Sequence, residues 1–445
     1  MNWSEQIREA LHEKNYDKLY SLLEQCHPVD IAQLMEELSD DESINLFSTL
    51  EFDIALQVLE ELDSNKKHLV LTNLEYNYAC KLVQEMSADE MADLLGDLEE
   101  DDKRQILSLL GESKDELIDL LSYARNTAGG RMTTEFIAFP KELKAKDALD
   151  KLAELAVDAE TIYYVYVVDS QGRLVGVVSL RDLILAPEET PIGDIMQTDV
   201  KKVNAQQEQE EVARLIQKYG FLALPVVDDN NVLLGIVTVD HAMTVVEEET
   251  TEDILKLSGS NVDEDMDVGQ VSIWARAKRR LPWILLAICG EIISGRVIDD
   301  FSSALQTIVA LSFFIPVLMD MGGNVGTQSA AIIVRGLATG ELKTLSIAKN
   351  VLREAAVGII LGIVNGLLVA VITYLWQGQM LLGLVVGISM TFNLTFAAML
   401  GTFFPLLWYK LGKDPAVASG PLVTSILDVV GLLIYFSTAT WILKL

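Results

Sequence analysis

A carboxylate interrupts the last long apolar segment of the chain. Asp428 lies near the middle of this segment, in the sequence GPLVTSILDVVG that begins at Gly420. A carboxylate at the centre of a membrane helix costs about 2.5–3.5 kcal/mol on insertion scales, so we expect it to face water, a partner or a passing ion. Mg²⁺ sheds water reluctantly and is usually held through one or two carboxylates, with several waters retained. Asp428 therefore suits a hydrated divalent cation. The alternative is a structural hydrogen bond within a helix bundle.

A second cluster of polar residues and glycines occupies residues 316–329, with the sequence PVLMDMGGNVGTQS. Such residues do not face lipid, but they can line a cavity. Gly322, Gly323 and Gly326 allow close approach of the backbone, so we expect their carbonyl oxygens, beside Asn324, to contact ion-bound water. The cluster is predicted to lie at the cytoplasmic end of a membrane span. An ordinary turn between two spans is the alternative.

Both clusters lie in the apolar part of the chain, which begins at about residue 271. Five apolar stretches there are long enough to span a membrane, since a spanning helix needs about 20 residues. We predict spans at 281–298, 304–320, 354–376, 381–409 and 415–443.

Basic residues near the ends of these stretches predict their orientation, because Lys and Arg are enriched on the cytoplasmic side. Arg296 and Lys444 fall on one side. Nine basic residues fall on the other side: Lys278, Arg279, Arg280, Arg335, Lys343, Lys349, Arg353, Lys410 and Lys413. The N-terminus is therefore predicted to be cytoplasmic, and five spans place the C-terminus outside. The first 14 residues are charged, so no cleaved signal peptide is expected.

The part of the chain before residue 271 is strongly acidic. Residues 1–270 contain 58 Asp and Glu against 22 Lys and Arg, a net charge of −36, whereas residues 271–445 carry +4. So much negative charge repels itself in a compact state unless counterions collect. We therefore expect the acidic part to bind cations that the membrane part handles, and a nucleic-acid partner is not expected, because phosphate would be repelled.

Residues 22–110 contain a repeat of twelve residues. Two apolar columns lie four residues apart, which is the spacing of one helix face. The first column is Leu22, Leu34, Leu46, Val58, Val70, Leu82, Leu94 and Ile106, and the second is Leu38, Leu50, Leu62, Leu74, Met86, Leu98 and Leu110. Short helices of this kind are stable only when neighbours bury each other's apolar stripes, so the repeat predicts a helical superhelix.

A second repeat, with an offset of 59 residues, aligns residues 167–179 with residues 226–238. Each copy is predicted to form a βαββα unit, and the pair resembles tandem cystathionine β-synthase (CBS) modules, which often sense adenine nucleotides. Ser179 and Asp182 match the ribose-contacting pattern of that family. The second copy has Thr238 but has His241 where the pattern requires Asp. The resemblance therefore implies a nucleotide site, with ATP as a possible ligand, in the first copy alone.

The order of these regions, together with the sequences GGNVGTQS at residues 322–329 and LDVVGLLIY at residues 427–435, resembles the MgtE family of magnesium channels over essentially the whole chain. The fold class implied is a multidomain α-helical membrane protein. Its domains are expected at 1–128 (all-α helical superhelix), 129–241 (tandem α/β CBS pair), 242–270 (acidic connecting helix and linker) and 271–445 (five transmembrane helices).

The resemblance also implies a homodimer in a bacterial-type plasma membrane that imports Mg²⁺ down its electrochemical gradient. Asp428 would hold hydrated Mg²⁺ in the pore, with Thr424 and Gly420 on the same helix and Asn324, Gly322 and Gly323 near the gate. Bound regulatory Mg²⁺ would close the pore by bridging the cytosolic domains. Residues that match the regulatory pattern are Asp89, Asp93, Glu135, Glu208, Glu210, Glu249, Glu252, Asp253 and Asp414. His241 and Thr244 occupy positions where relatives carry acids, which puts some bridging sites in doubt.

Other functions remain open from the residues alone. No phosphate-binding GxxxxGK[ST] sequence and no pairing of nucleophile and base is present, so neither a pump nor an enzyme is predicted. One alternative is a CBS-containing membrane receptor, which leaves a carboxylate in the middle of a span without a role. The other is a transporter of Co²⁺, Mn²⁺ or Ca²⁺. The lack of Cys and His near the pore motifs favours a hard ion but does not separate Mg²⁺ from Ca²⁺.

Overall fold

The structure is a computed structural model that describes residues 3–13, 15–98, 100–110, 120–156, 159–260, 273–340, 342, 346–418 and 420–444. Residues 261–270 of the predicted linker, and Lys343, lie outside the described residues. The chain divides into two compact units, Met1–Val246 and Glu247–Leu445.

The first unit begins with a series of short helices whose starts recur every twelve residues from Pro28 onward. Leu22, the first member of the first apolar column, is half-buried. The other members of that column, from Leu34 to Ile106, are each at most 2% exposed. Helix starts are set by local capping, as where the Ser39 backbone amide donates to the Glu42 carboxylate at 3.1 Å. The helices are Trp3–His12, Tyr16–Leu23, Pro28–Glu37, Asp40–Phe47, Phe52–Glu61, Ser64–Asn73, Tyr76–Glu85, Ala88–Asp97 and Glu100–Leu110.

Two three-stranded sheets follow, one in each CBS module. In each sheet the first strand is parallel to the second, and the second is antiparallel to the third. The strands are β1 (Ala138–Pro140), β2 (Tyr164–Val168), β3 (Leu174–Ser179), β4 (Val203–Asn204), β5 (Ala223–Val227) and β6 (Leu233–Thr238). The helices of this region are Ala145–Leu155, Leu180–Leu185, Ile192–Ile195 and Gln209–Tyr219. The predicted βαββα duplication is confirmed. The modules meet where the Leu174 amide donates to the Asn231 carbonyl at 2.9 Å and the Leu233 amide donates to the Gly172 carbonyl at 3.0 Å.

A helix of 19 residues, Val239–Leu257, follows β6 and contains the division between the two units. We call it the connecting helix. The second unit then contains five helical segments long and apolar enough to cross a membrane: Arg280–Asp300, Val309–Ala338, Ile347–Gln377, Met380–Lys410 and Pro415–Leu443. We refer to them as the first to fifth spans.

The predicted bounds of the second span were wrong. The span runs from Val309 to Ala338 rather than from 304 to 320, and residues 315–338 form one continuous helix. The polar and glycine-rich sequence after residue 319 lowers the local hydropathy, which is why the apolar stretch seemed to end there. Helical hydrogen bonding satisfies the backbone of this sequence within the membrane, so it has no need to leave the span.

Glycines set the close packing of the spans, as expected where small residues let helix backbones approach. A Cβ atom at Gly362 would lie 2.7 Å from the Thr391 carbonyl oxygen, and one at Gly366 would lie 2.5 Å from the Gly387 carbonyl oxygen. The fourth span has the largest buried share of the five. It therefore forms the centre of the packed bundle, against which the helices that carry the candidate ion site are held.

Candidate functional site

Asp428 on the fifth span has a carboxylate neighbour on the first span. The Asp428 carboxylate lies within electrostatic range of the Glu291 carboxylate, and Asp320 on the second span is also within range of it. Close packing explains this arrangement, because a Cβ atom at Gly290 would lie 2.5 Å from the Ser425 Cβ atom. Gly290 and Ser425 therefore bring the first and fifth spans together about one helical turn from Asp428.

The second span adds polar groups to the same region. The Asn324 side-chain amide donates to the Asp320 carboxylate at 3.2 Å, and both side chains are exposed. A Cβ atom at Gly323 would lie 3.5 Å from the Thr424 Cγ2 atom. The structure thus brings four predicted residues, Asp428, Thr424, Asn324 and Gly323, to adjoining faces of the second and fifth spans.

Two of the glycines have a role different from the one predicted. Gly322 and Gly326 are buried inside the helix Ile315–Ala338, so these residues do not form a turn with open carbonyl oxygens. A Cβ atom at Gly322 would lie 3.0 Å from the Asn393 amide nitrogen, and one at Gly326 would collide with Leu427. The prediction that these glycines expose carbonyls to ion-bound water is therefore wrong, because they serve close helix packing.

Gly420 also acts through the backbone. It precedes the fifth-span helix Pro421–Leu443 with φ +58°, a conformation that favours glycine. A Cβ atom there would collide with the Leu257 carbonyl oxygen at the end of the connecting helix. Gly420 therefore fixes how the fifth span begins beside the connecting helix.

A lysine lies between two residues of the predicted regulatory set. The Lys256 ammonium is paired with the Glu252 carboxylate and lies 2.7 Å from the Asp414 carboxylate oxygen Oδ2. Burial lowers the pKa of Lys256, but its hydrogen bonds to Asp414 and Glu252 outweigh this and raise the pKa above its usual value. The other Asp414 oxygen accepts a hydrogen bond from the Ala416 amide at 2.8 Å. Protein groups therefore satisfy Asp414 at both oxygens.

Asp89 lies in an acidic cluster of the first unit and is 7% exposed. Its Oδ2 atom is 3.6 Å from the His241 Nε2 atom, whereas its Oδ1 atom is buried with no hydrogen-bonding partner. Burial raises the pKa of Asp89 despite His241. Burial and the neighbouring Glu90 carboxylate raise the pKa of Glu60 to about 7, and burial and Asp89 raise the pKa of Glu160. Burial is the largest cause of the raised pKa at each of these carboxylates, and Lys67 pairs with the neighbouring Glu90. Their oxygen atoms are donors of the kind that a hard cation prefers.

Asp93 has a different environment, although it lies one helical turn from Asp89. Its carboxylate is 3.7 Å from the Arg125 Nε atom and 3.8 Å from the Arg131 Nη1 atom. Burial nevertheless raises the pKa of Asp93 against the effect of the two arginines. Asp93 is therefore a site of ion pairing within the protein.

The remaining predicted regulatory residues are dispersed. Glu208 is an exposed residue before the helix Gln209–Tyr219, and Glu210 is paired with Arg214 at 2.6 Å. Glu135 precedes the first CBS strand and is half-buried. Glu249 and Asp253 lie on the connecting helix and are also half-buried. Among the described residues, no group of three or more His, Cys, Asp or Glu side chains has an arrangement that could hold a metal ion.

A cavity of about 690 Å³ opens in the first CBS module at the predicted nucleotide site. Its lining residues are Tyr163, Tyr164, Ser179, Leu180, Arg181, Ile184, Leu185 and Leu222. The Ser179 hydroxyl donates to the Asp182 carboxylate at 2.7 Å and accepts from the Asp182 amide at 3.1 Å. The cavity offers tyrosine rings for stacking and Arg181 for an anion, and the Ser179–Asp182 pair lies at its edge.

Sequence reasoning missed Glu291, Asp320 and Lys256. Glu291 lies near the middle of the first span, so the insertion cost that singled out Asp428 would also have singled out Glu291. Asp320 lies inside a span whose end was misplaced. No pattern in the sequence signals that Lys256 would meet Asp414, because the contact joins residues 158 positions apart.

Known proteins resemble this chain in every region. Residues 315–438 match the family model MgtE, described as a divalent cation transporter, and residues 26–126 match the MgtE intracellular N domain. Residues 128–189 and 192–256 match CBS domains. The magnesium transporter MgtE of Bacillus subtilis is 40% identical over 421 residues, covering 94% of this chain and 93% of that protein. This chain belongs to the MgtE family. The magnesium transporter MgtE of Thermus thermophilus is similar to it over 98% of both chains, at 39% identity.

A solved structure described as the cytosolic domain of the Mg²⁺ channel MgtE in complex with ATP is also similar to this chain. It has a TM-score of 0.52 and 37% identity, and the match covers 54% of this chain and 99% of that one. Membership of the MgtE family confirms the predicted family and fold class. It also makes the chain a multi-pass membrane protein of a magnesium transporter family, which is not a family of enzymes.

Proposed function

We propose that this MgtE family member is a Mg²⁺ channel that imports the ion down its electrochemical gradient and closes when cytosolic Mg²⁺ binds between its cytosolic domains. One observation carries the proposal. Asp428, in the middle of the fifth span, adjoins a second carboxylate, Glu291, and the polar face of Asp320 and Asn324. Carboxylates at this depth need a cation or water to compensate for the lost hydration.

The chemistry of the region favours a hydrated ion. Because Mg²⁺ keeps several waters, carboxylate and amide oxygens can hold it through those waters rather than by a tight ligand cage. Asp428 attracts the divalent charge, Glu291 and Asp320 strengthen the attraction, and the Thr424 hydroxyl and Asn324 amide accept or donate hydrogen bonds to the ion's waters. Oxygen groups alone do not exclude Ca²⁺, so selectivity must depend on the width of the path.

The membrane potential supplies the driving force in this proposal, at about 2.3 kcal/mol per elementary charge per 100 mV. The basic residues near the span ends support a cytoplasmic N-terminus and an outer C-terminus in a plasma membrane. A homodimer would set two copies of the site at one path or give each subunit its own path.

The acidic cluster around Asp89 supports regulation by Mg²⁺. The unpartnered Asp89 Oδ1 atom and the carboxylates of Glu60 and Glu160 would gain from a bound cation. An ion shifts an equilibrium only by binding one state better than the other. We infer that Mg²⁺ favours the compact cytosolic state, in which these carboxylates are close, and that this state corresponds to the closed channel.

The cavity beside Ser179 supports ATP as a second ligand. An aromatic pair, Tyr163 and Tyr164, and the Arg181 guanidinium suit an adenine ring and a phosphate. The similar cytosolic domain in complex with ATP favours this ligand over other anions.

The test is Mg²⁺ flux into liposomes that contain the purified protein, with wild type beside Asp428→Asn. We expect Asp428→Asn to reduce flux at least about tenfold, which corresponds to about 1.4 kcal/mol in the barrier. Asp299→Asn is the matched control, because Asp299 is an exposed residue of the first span paired with Arg296 at 2.9 Å. Equal loss in both variants, or none in Asp428→Asn, would contradict the proposal.

The same liposomes separate the alternatives. Flux of Ca²⁺, Mn²⁺ or Co²⁺ greater than that of Mg²⁺ would favour a transporter of another ion. Absence of flux from folded protein that still binds ATP would favour a membrane receptor.

A further inference from the structure

We propose that Lys256 is a built-in cation that takes the place of a regulatory Mg²⁺ between the connecting helix and the start of the fifth span. The inference rests on the proposed regulation by Mg²⁺, and it separates two kinds of acidic site in this chain. One kind depends on the ion, and the other is neutralised permanently by the protein.

The Lys256 ammonium occupies the position that a metal ion would need at this junction. Glu252 and Asp414, both in the predicted regulatory set, meet at one point, but the Lys256 ammonium lies between them. The Lys256 side chain is only 20% exposed, so it is held in place rather than extended into solvent. Asp414 makes its second contact with the Ala416 amide. A Mg²⁺ ion would have to displace the ammonium to reach either carboxylate.

The acidic cluster around Asp89 differs from this junction in whether protein groups satisfy both carboxylate oxygens. Asp89 has one buried oxygen without a hydrogen-bonding partner, whereas Asp414 has a partner at each oxygen. A bound cation would therefore improve the first site and would have to break existing contacts at the second. The same predicted ligand set thus contains one carboxylate with an oxygen left open to a cation and one whose two oxygens are both occupied by protein groups.

The backbone around Lys256 shows that the junction is closely packed. A Cβ atom at Gly259 would lie 2.5 Å from the Pro421 Cγ atom, and Gly420 meets the Leu257 carbonyl oxygen in the same way. Pro421 is the first residue of the helix that carries Asp428. Lys256 therefore attaches the end of the connecting helix to the start of the fifth span, and this attachment does not require Mg²⁺.

The consequence concerns where Mg²⁺ acts. If the junction stays closed without Mg²⁺, sensing depends on the cytosolic acidic sites, and the connecting helix passes their movement to the fifth span as a fixed attachment. A Mg²⁺-dependent junction would instead release the fifth span whenever the ion is removed.

The test measures the junction by fluorescence in the full-length protein. Ser258 is exposed and lines a cavity of about 340 Å³ with Trp283 of the first span. A bimane label on Ser258→Cys, with Cys26, Cys80 and Cys289 replaced by Ser, is quenched only while Trp283 is close. Trp283→Phe gives the unquenched signal.

The parent protein keeps Lys256. We expect its quenching to be the same with an about 10-fold excess of chelator over Mg²⁺ and with saturating Mg²⁺. Lys256→Glu would place three carboxylates together, so its quenching should be lost in chelator and restored by Mg²⁺. Lys256→Arg keeps the cation and should behave as the parent, which also controls for misfolding. Loss of quenching in the parent on removal of Mg²⁺, or full quenching of Lys256→Glu in chelator, would overturn the inference.

Mg²⁺ flux measured on the same samples distinguishes this inference from the proposed function. Absent flux with the predicted quenching pattern would reject the channel and leave the built-in cation standing. Normal, regulated flux with a Mg²⁺-dependent junction in the parent would support the channel and reject the built-in cation.

Discussion

At the scale of single residues, the placement of carboxylates distinguishes the proposed ion path from the proposed regulatory sites. Asp428 and Glu291 lie on different spans and within electrostatic range of each other, and both lie at a depth where charge is costly. In the first unit, Asp89 is among the carboxylates that raise the pKa of the half-buried Glu60. In both places the cost of uncompensated negative charge is the physical reason for proposing that a cation binds.

Neutralising Glu291 tests its part in the ion path. We expect Glu291→Gln to lower Mg²⁺ flux by several-fold, and by less than Asp428→Asn, because the remaining carboxylate still attracts the ion. Flux in liposomes at fixed membrane potential is the measurement. Unchanged flux in Glu291→Gln would mean that the first span does not face the path.

The raised pKa of Glu60 gives a prediction about pH. Its pKa rises from 4.5 to about 7 in the folded protein, so between these values the folded state holds a proton that the unfolded state has lost. This group therefore makes the protein less stable as pH rises through that window. Glu60→Gln should flatten the fall in stability between pH 4.5 and about 7 and raise the melting temperature at pH 8. A lower melting temperature at pH 8, measured on the purified protein in detergent, would be inconsistent with this.

At the scale of helices and strands, the repeats could be predicted from the sequence because they are local. The burial of the column from Leu34 to Ile106 follows from its twelve-residue spacing, and the two CBS sheets follow from the 59-residue offset. The second span could not be predicted from hydropathy. Its glycines allow close packing against other helices. From the sequence alone, glycines that serve helix packing cannot be distinguished from glycines that form a turn.

Packing of the second against the fourth span can be tested with glycine substitutions. A Cβ atom at Gly401 would lie 3.0 Å from the Gly326 Cα atom and would collide with the Gly326 carbonyl oxygen. We expect Gly401→Ala to destabilise the protein by about 1–3 kcal/mol, the usual cost of overpacking. Gly295→Ala is the control, because a Cβ atom at Gly295 meets nothing within 4 Å. Equal melting temperatures for the two variants would refute the role of Gly401 in close packing.

At the scale of the whole molecule, the charge division of the chain fits the two tasks proposed for it, sensing of Mg²⁺ and its passage. The first unit is acidic and contains the candidate sensor around Asp89, and the second contains the spans and Asp428. The sequence was sufficient to predict that Asp428 lies within a span and that most acidic residues lie before the spans. It did not predict that Lys256 would occupy the position between Glu252 and Asp414, or that Glu291 would join Asp428, because both arrangements arise only when distant segments pack together.

Regulation should depend on the cytosolic acidic residues and not on the ion path. We expect Asp89→Asn combined with Asp253→Asn to leave flux at low internal Mg²⁺ close to that of wild type and to weaken inhibition by internal Mg²⁺, because fewer carboxylates then favour the ion-bound state. Glu208→Gln, at an exposed position, is the comparison expected to have the smaller effect. Undiminished inhibition in the double variant would remove the Asp89 cluster as the sensor.

The most direct test of the account is Mg²⁺ influx into liposomes as the internal free Mg²⁺ is raised, with the N-terminal unit facing inward. We predict rapid influx at low internal Mg²⁺, a steep fall as internal Mg²⁺ increases, and little influx at any internal concentration for Asp428→Asn. Influx that stays constant as internal Mg²⁺ rises, or that survives in Asp428→Asn, would contradict the claim that this chain is a Mg²⁺ pathway through Asp428 closed from the cytosolic side.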